Sequence, residues 1–222
     1  MTWSSWIACI CGPVLAAGVA NPADAAVTEK LGQVVRVRIY NYASVSPATL
    51  AGAEAAASHV LLQAGVRVEW AECLLVQNAP RKDPTCDLPV TPLDLQLRIL
   101  DEAMARRVRT TSESLGYAVL AEGFDSIAAV YFHRAVELEK RSLADRQAIL
   151  GSMLAHEIGH LLLKETAHSG AGIMQAQWGD GDLKLIGKGR LWFTEREAVR
   201  LKWMIARRRE ASKTSPGIAQ LE

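Results

Sequence analysis

The run His156-Glu157-Ile158-Gly159-His160 holds the residues whose types and spacing best suit chemistry. Histidines four apart on a helix project from one face about one turn apart, so both imidazoles reach a single Zn²⁺ at ~2.0 to 2.1 Å. Glu157 stands beside them without being a ligand, where a general base must stand to take a proton from a water at the metal. Catalytic zinc takes a third protein ligand and keeps one position open. Three residues are candidates for it: His168, Glu165 and Asp180. Glu165 follows His160 so closely that little chain remains for its carboxylate to fold back. Asp180 lies in Gly179-Asp180-Gly181, which suits a surface turn. His168 has enough chain before it to leave the helix, reverse and return, and an imidazole completes a three-histidine set. His59 and His133 lie in no such motif and read as structural.

The element that must position these residues is a helix. Between Ala144 and Leu163 there is no proline, and Ile149, Met153, His156, His160 and Leu163 recur at helical spacing. Leu150, Leu154, Ile158 and Leu161 widen the apolar surface beside that face, so the helix is expected to be deeply buried. Two core histidines in such a helix need partners for all their ring nitrogens. The elements around it follow from period and turn chemistry. Val35-Arg36-Val37-Arg38-Ile39 alternates apolar and basic residues, as a strand with one buried face does. Ser46 and Pro47 open an Ala-rich helix that runs to Gln63, and Gly65 can take the left-handed stop. Further strands are predicted over Val66 to Trp70 and Leu93 to Ile99. Tyr117 to Leu120 and Ile127 to Phe132 read as a hairpin or edge pair about a turn at Gly123 and Asp125. Thr194 and Glu197 have capping-box spacing ahead of an amphipathic helix reaching about Arg209. The cluster Arg207, Arg208, Arg209 then reads as the solvated end of that helix.

The chain has 222 residues, 50% hydrophobic and 22% charged, enough for one substantial core. A net charge of +1 gives no global field to hold nucleic acid or an anionic membrane. Residues 1–25 predict an export signal, with an apolar run from Ile7 to Ala20, a break at Asn21-Pro22, and cleavage after Ala25. The segment lacks the usual basic start, and its apolar run is shorter than the ~20 residues of a membrane span. Export leaves Cys73 and Cys86 as an even pair in an oxidising compartment, which predicts a disulfide closing the Pro-rich stretch between them. Too few residues separate Ala26 from the first strand to form an inhibitory pro-segment, so activity is expected once the signal is removed.

The segments HEIGHLLL and HSGAGIM, together with the element order, resemble the metzincin clan of zinc peptidases, in a compact secreted bacterial type. The resemblance implies an α+β zincin: a mixed twisted sheet with a first helix, the HExxH helix, and a small lower part with a Met-turn and C-terminal helix. It implies an upper subdomain over residues 26–163 and a lower one over residues 164–222. It also implies that His156, His160 and His168 hold Zn²⁺, that Glu157 is the catalytic base and acid, and that Met174 packs beneath the metal without ligating it. The chain departs from the clan's HExxHxxGxxH pattern: His168 lies eight residues after His160, and Leu163-Lys164 occupy the bend where the clan has glycine. A left-handed Lys164 costs ~1 kcal/mol relative to glycine. No tyrosine follows Tyr131 to serve as a further ligand.

The reaction implied is hydrolysis of a peptide bond in a peptide or protein substrate, with an endopeptidase expected if an extended substrate pairs with a sheet edge. The strand from Ile127 to Phe132, read as coming immediately before the HExxH helix in the chain, is the candidate edge. Three other readings stand beside this one. Glu72-Cys73-Leu74 hints at a deformylase-like metallohydrolase, against which the export signal and the absence of that family's Gly-rich motif both count. The same fold could serve as a non-catalytic zinc- or protein-binding module. A cell-envelope structural protein would bind no metal.

Overall fold

A computed structural model describes residues 33–73, 83–108, 114–123 and 126–214. The expected signal, its cleavage point and the short stretch before the first strand lie outside these residues. The alternating run beginning the core becomes β1 (Gln33–Asn41). Ser46 Oγ then accepts the Thr49 N–H at 3.2 Å, Pro47 fills the first turn, and α1 (Pro47–Gln63) follows. Gly65, at φ 78°, turns the chain into β2 (Val66–Glu72). β3 (Asp94–Leu100), a short α2 (Glu102–Ala105), β4 (Gly116–Val119) and β5 (Ile127–Tyr131) complete the sheet. The order is β2-β1-β3-β5-β4, with β4 alone antiparallel. The fold is thus mixed α/β with a five-stranded, mostly parallel sheet.

Two expectations about this sheet need correction. The strand over Ile127 to Phe132 is no edge: β5 pairs with β3 on one side and β4 on the other, and β4 is the outer strand. Nor does it lead straight into the HExxH helix, because α3 (Phe132–Lys140) intervenes. Its first residue, Phe132, reads locally as strand, while tertiary packing of Ala135 and Leu138 makes the segment helix. Arg38 also departs from its alternating pattern. It is only 2% exposed, because the segment after Cys86 covers that side of the sheet. Its guanidinium donates to the carbonyls of Leu88 and Pro89 and to buried Asp94, whose other oxygen accepts from Thr91. The Cys73–Cys86 disulfide, formed as expected, pins this segment to the end of β2.

The buried side chains of β1 and β3 share one core with α1 and α4 (Arg146–Leu163). Asp145 caps α4 by accepting the Ala148 N–H at 2.7 Å. α5 (Asp180–Gly187) and α6 (Glu195–Thr214) follow. Thr194 and Glu197 form the expected reciprocal cap, and α6 runs beyond Arg209. Arg208 is therefore no solvated helix end. It is buried and donates to the carbonyls of Leu161 and Pro92, tying α6 to the last turn of α4.

α1 and α4 pack tightly at Gly151. A Cβ there would lie 2.6 Å from both the Ala53 carbonyl oxygen and Ala56 Cβ. Gly151→Ala gains helix propensity but forces two backbones apart, and the second effect wins because neither can yield without unpacking the core. The variant is expected to lose about 1–3 kcal/mol of stability. A thermal midpoint equal to or above that of the parent would show that the helices do not depend on this contact.

Candidate metal centre

From Ile149 to Leu163 every residue of α4 is buried, including His156, Glu157 and His160. The two imidazoles resolve their polarity in the same way. His156 Nδ1 lies 2.7 Å from the Ile173 carbonyl oxygen, and His160 Nδ1 lies 2.8 Å from that of Glu165. A carbonyl accepts only, so each Nδ1 carries the proton and each Nε2 presents a lone pair. Those two Nε2 atoms face one another at 3.0 Å. His168, on an exposed loop, brings a third ring to them, its centroid 5.4 Å from His156 and 5.0 Å from His160. Ligand atoms of all three lie within 4.8 Å of one another. Burial holds His156 down at about 3, with the neighbouring His160 adding to the effect, and burial lowers His160 and His168 as well.

Glu157 lies against the outer strand. A Cβ on Gly116 of β4 would lie 2.7 Å from Glu157 Oε1, so the carboxyl occupies the space a side chain would need. Its Oε2 is buried without a hydrogen-bond partner, and burial alone pushes the group up to about 8.

The chain leaving α4 is built to return. Lys164 adopts the left-handed conformation (φ 56°, ψ 41°) expected at the bend, and its Nζ donates to the Ala121 carbonyl and Ser126 Oγ. Glu165 turns its carboxylate to a bidentate pair with Arg200 at 2.8 Å, away from the histidines. Ser169 donates to Glu197 through its hydroxyl and to the Met174 carbonyl through its N–H, closing a loop in which Gly172 takes φ 75°. Met174 then packs beneath α4 at Gly159, where an added Cβ would come within 2.5 Å of its sulfur. Trp178 donates to the Ile173 carbonyl and stands edge-on to His156 at 6.0 Å.

Neither any protein family nor any curated protein matches the chain. Among solved structures it is similar to a zinc-dependent peptidase from Methanocorpusculum labreanum, at 16% identity and a TM-score of 0.47, over 74% of this chain and 99% of that one.

Of the sequence candidates, His156, His160 and His168 meet and Glu157 lies beside them. Asp180 begins α5 on the surface, where Asp182 accepts the Gly179 N–H. His59 contacts the Gly189 carbonyl, and His133 stacks by Tyr131. Cys73 is spent in the disulfide, which removes the thiolate that a deformylase-like site would need. The carbonyls of Ile173 and Glu165 were not legible in sequence, because any residue type supplies one.

The depressed His156 value sets a pH dependence of the metal-free protein. Its folded pKa lies below the ordinary 6.5, so the stability it contributes is present above pH 6.5 and is lost as pH falls toward about 3, where the unfolded chain binds a proton the folded one refuses. Glu157, raised from 4.5 to about 8, acts oppositely and loses stability as pH rises. Urea unfolding of the metal-free parent and His156→Gln across the acid window separates the two. The parent is expected to weaken more steeply, and parallel slopes would contradict the assignment.

Proposed function

We propose that the protein is an exported zinc-dependent peptidase, with His156, His160 and His168 as metal ligands and Glu157 as general base and acid. The observation that carries this reading is the pair of Nε2 lone pairs 3.0 Å apart in a buried site, with both Nδ1 atoms already committed to carbonyls. Two facing lone pairs repel unless a cation stands between them, and burial disfavours a proton as that cation. Three imidazole donors in a tight cluster suit Zn²⁺, whose tetrahedral ligands stand ~3.4 Å apart at ordinary Zn–N distances. Backbone acceptors behind the ligands favour the same choice, since they fix tautomer and ring orientation.

Zinc bound here supplies a Lewis acid that polarises a carbonyl and makes an adjacent water more acidic. The protein's own residues supply the proton handling. Glu157 has one carboxyl oxygen without a hydrogen-bond partner and no ion pair among the described residues, and a cation held by the histidines would favour its charged form, which would then take the proton of an attacking water and deliver it to the leaving amine. β4, outermost of the described strands, begins at Gly116 against Glu157, so its outer edge is the surface for an extended peptide to pair with. Met174 under Gly159 favours a metzincin-like arrangement. The Cys73–Cys86 disulfide favours action outside the reducing cytosol.

Glu157→Gln tests the chemistry. Zinc is expected to stay bound at one equivalent by elemental analysis while cleavage of unfolded protein falls by roughly three orders of magnitude or more. Cleavage at the parent rate would remove Glu157 from the mechanism.

A second series tests the ligands. His168→Ala is expected to lose zinc and activity together. Glu165→Ala keeps both, at a stability loss of about 0.2–1 kcal/mol from the half-exposed Arg200 pair. Asp180→Ala likewise keeps zinc. Stoichiometric zinc in His168→Ala would overturn the third ligand.

A further inference from the structure

Behind Trp178, which stands edge-on to His156, lies a cavity of about 580 Å³ that the reaction above does not use and that none of the three histidines lines. Two of its walls are the site's own surroundings: Trp178, which stands against His156, and Leu115, which precedes the Gly116 that abuts Glu157. A third wall is one face of α3 and its cap. Arg134, Leu138 and Arg141 recur there at helical spacing, and all three line the cavity. Arg134 gives one nitrogen to Glu137, while its buried Nε has no partner. Arg141 pairs with no carboxylate among the described residues.

An adjoining cavity of about 410 Å³ shares Arg141 and Asp180 with the first and adds Lys140 and Lys184. Asp180 is the one anion lining either cavity, against four cations. This excess is local, since the whole chain carries only +1. A concave surface with low-dielectric walls strengthens such a field, and a guanidinium fork matches a carboxylate in geometry. The apolar wall of Leu115, Leu138 and Trp178 suits the methylenes of a glutamate whose carboxylate ends at the arginines.

We propose that this cavity is a specificity pocket for an acidic side chain close to the scissile bond, with Arg134 and Arg141 recognising its carboxylate. The inference rests on the peptidase reading for the bond that is cut, but the recognition is a binding property and is measurable without turnover.

The test uses zinc-loaded protein carrying Glu157→Gln, so that peptides bind uncut, and two peptide series in which Glu or Gln is walked through each position. At one position Glu is expected to bind about tenfold more tightly than Gln, a difference of about 1.4 kcal/mol that shrinks as salt rises. Arg134→Gln with Arg141→Gln is expected to abolish the difference, and Arg134→Lys with Arg141→Lys to keep part of it. Equal binding of Glu and Gln peptides at every position, or a preference that survives the double Gln variant, would overturn the pocket. The same peptides given to the active protein separate the two readings. Cleavage without acidic preference sinks the pocket and leaves the peptidase, whereas arginine-dependent binding without cleavage sinks the peptidase and leaves the pocket.

Discussion

A helix buried from Ile149 to its end that carries two imidazoles and a carboxylate is the constraint around which the second half of this chain is arranged. Each ring nitrogen in α4 must meet a partner, because a buried polar atom left without one costs on the order of 1–3 kcal/mol. The Nδ1 atoms of His156 and His160 find theirs in the carbonyls of Ile173 and Glu165, which belong to the chain after the helix. That chain must therefore double back along α4, and its route is fixed by the needs of the imidazoles before any ligand loop is considered. Choosing carbonyls also decides the tautomer, which is why both Nε2 atoms end up facing the same small space.

Returning along α4 requires a sharp exit, and the exit falls on Lys164. A lysine in the left-handed region is strained by ~1 kcal/mol, yet its ammonium reaches the Ala121 carbonyl and Ser126 Oγ at 2.7 and 2.9 Å, contacts glycine cannot make. The strained residue thus ties the helix end to the connection between β4 and β5. α6 holds the other side of the loop: Arg200 grips Glu165, Glu197 accepts from Ser169, and Arg208 fills the Leu161 carbonyl left open at the end of α4. His168 is exposed, but the residues three before and one after it are both anchored to α6. An exposed histidine is thus held in place by its neighbours.

Much of this was legible because the relevant signals are local. The HExxH spacing, the caps at Ser46 and Thr194, the stop at Gly65 and the cysteine pair each depend on side-chain type and short separation, and each appears in the structure. What escaped depends on what lies opposite in space. Arg38 alternates as a surface residue should, and only the segment from Leu88 to Pro92 laid over it makes it a buried tie. Arg208 sits in a basic run typical of a solvated helix end, yet one of its neighbours, Arg207, stacks on Trp203 while Arg208 itself is buried. Phe132 begins a helix whose first residues resemble the strand before it. Strand order is the extreme case: Tyr117 to Val119 and Ile127 to Tyr131 pair antiparallel as the hairpin reading expects, but nothing in either run says which of the two lies outermost.

The carboxyl and the imidazoles also depend on each other. Glu157 has room only because residue 116 lacks a side chain, and in that space it meets neither a cation nor a hydrogen-bond donor at Oε2, so its proton affinity rises to about 8. At that value it holds its proton near neutral pH and is of little use as a base. A cation among the three rings would favour the charged carboxylate and draw the value back toward neutrality, where proton transfer in both directions is easiest. It would also relieve the facing lone pairs of His156 and His160. One charge there would resolve two buried conflicts that no described side chain resolves, and the glycine at the start of the outer strand gives room for the carboxyl's.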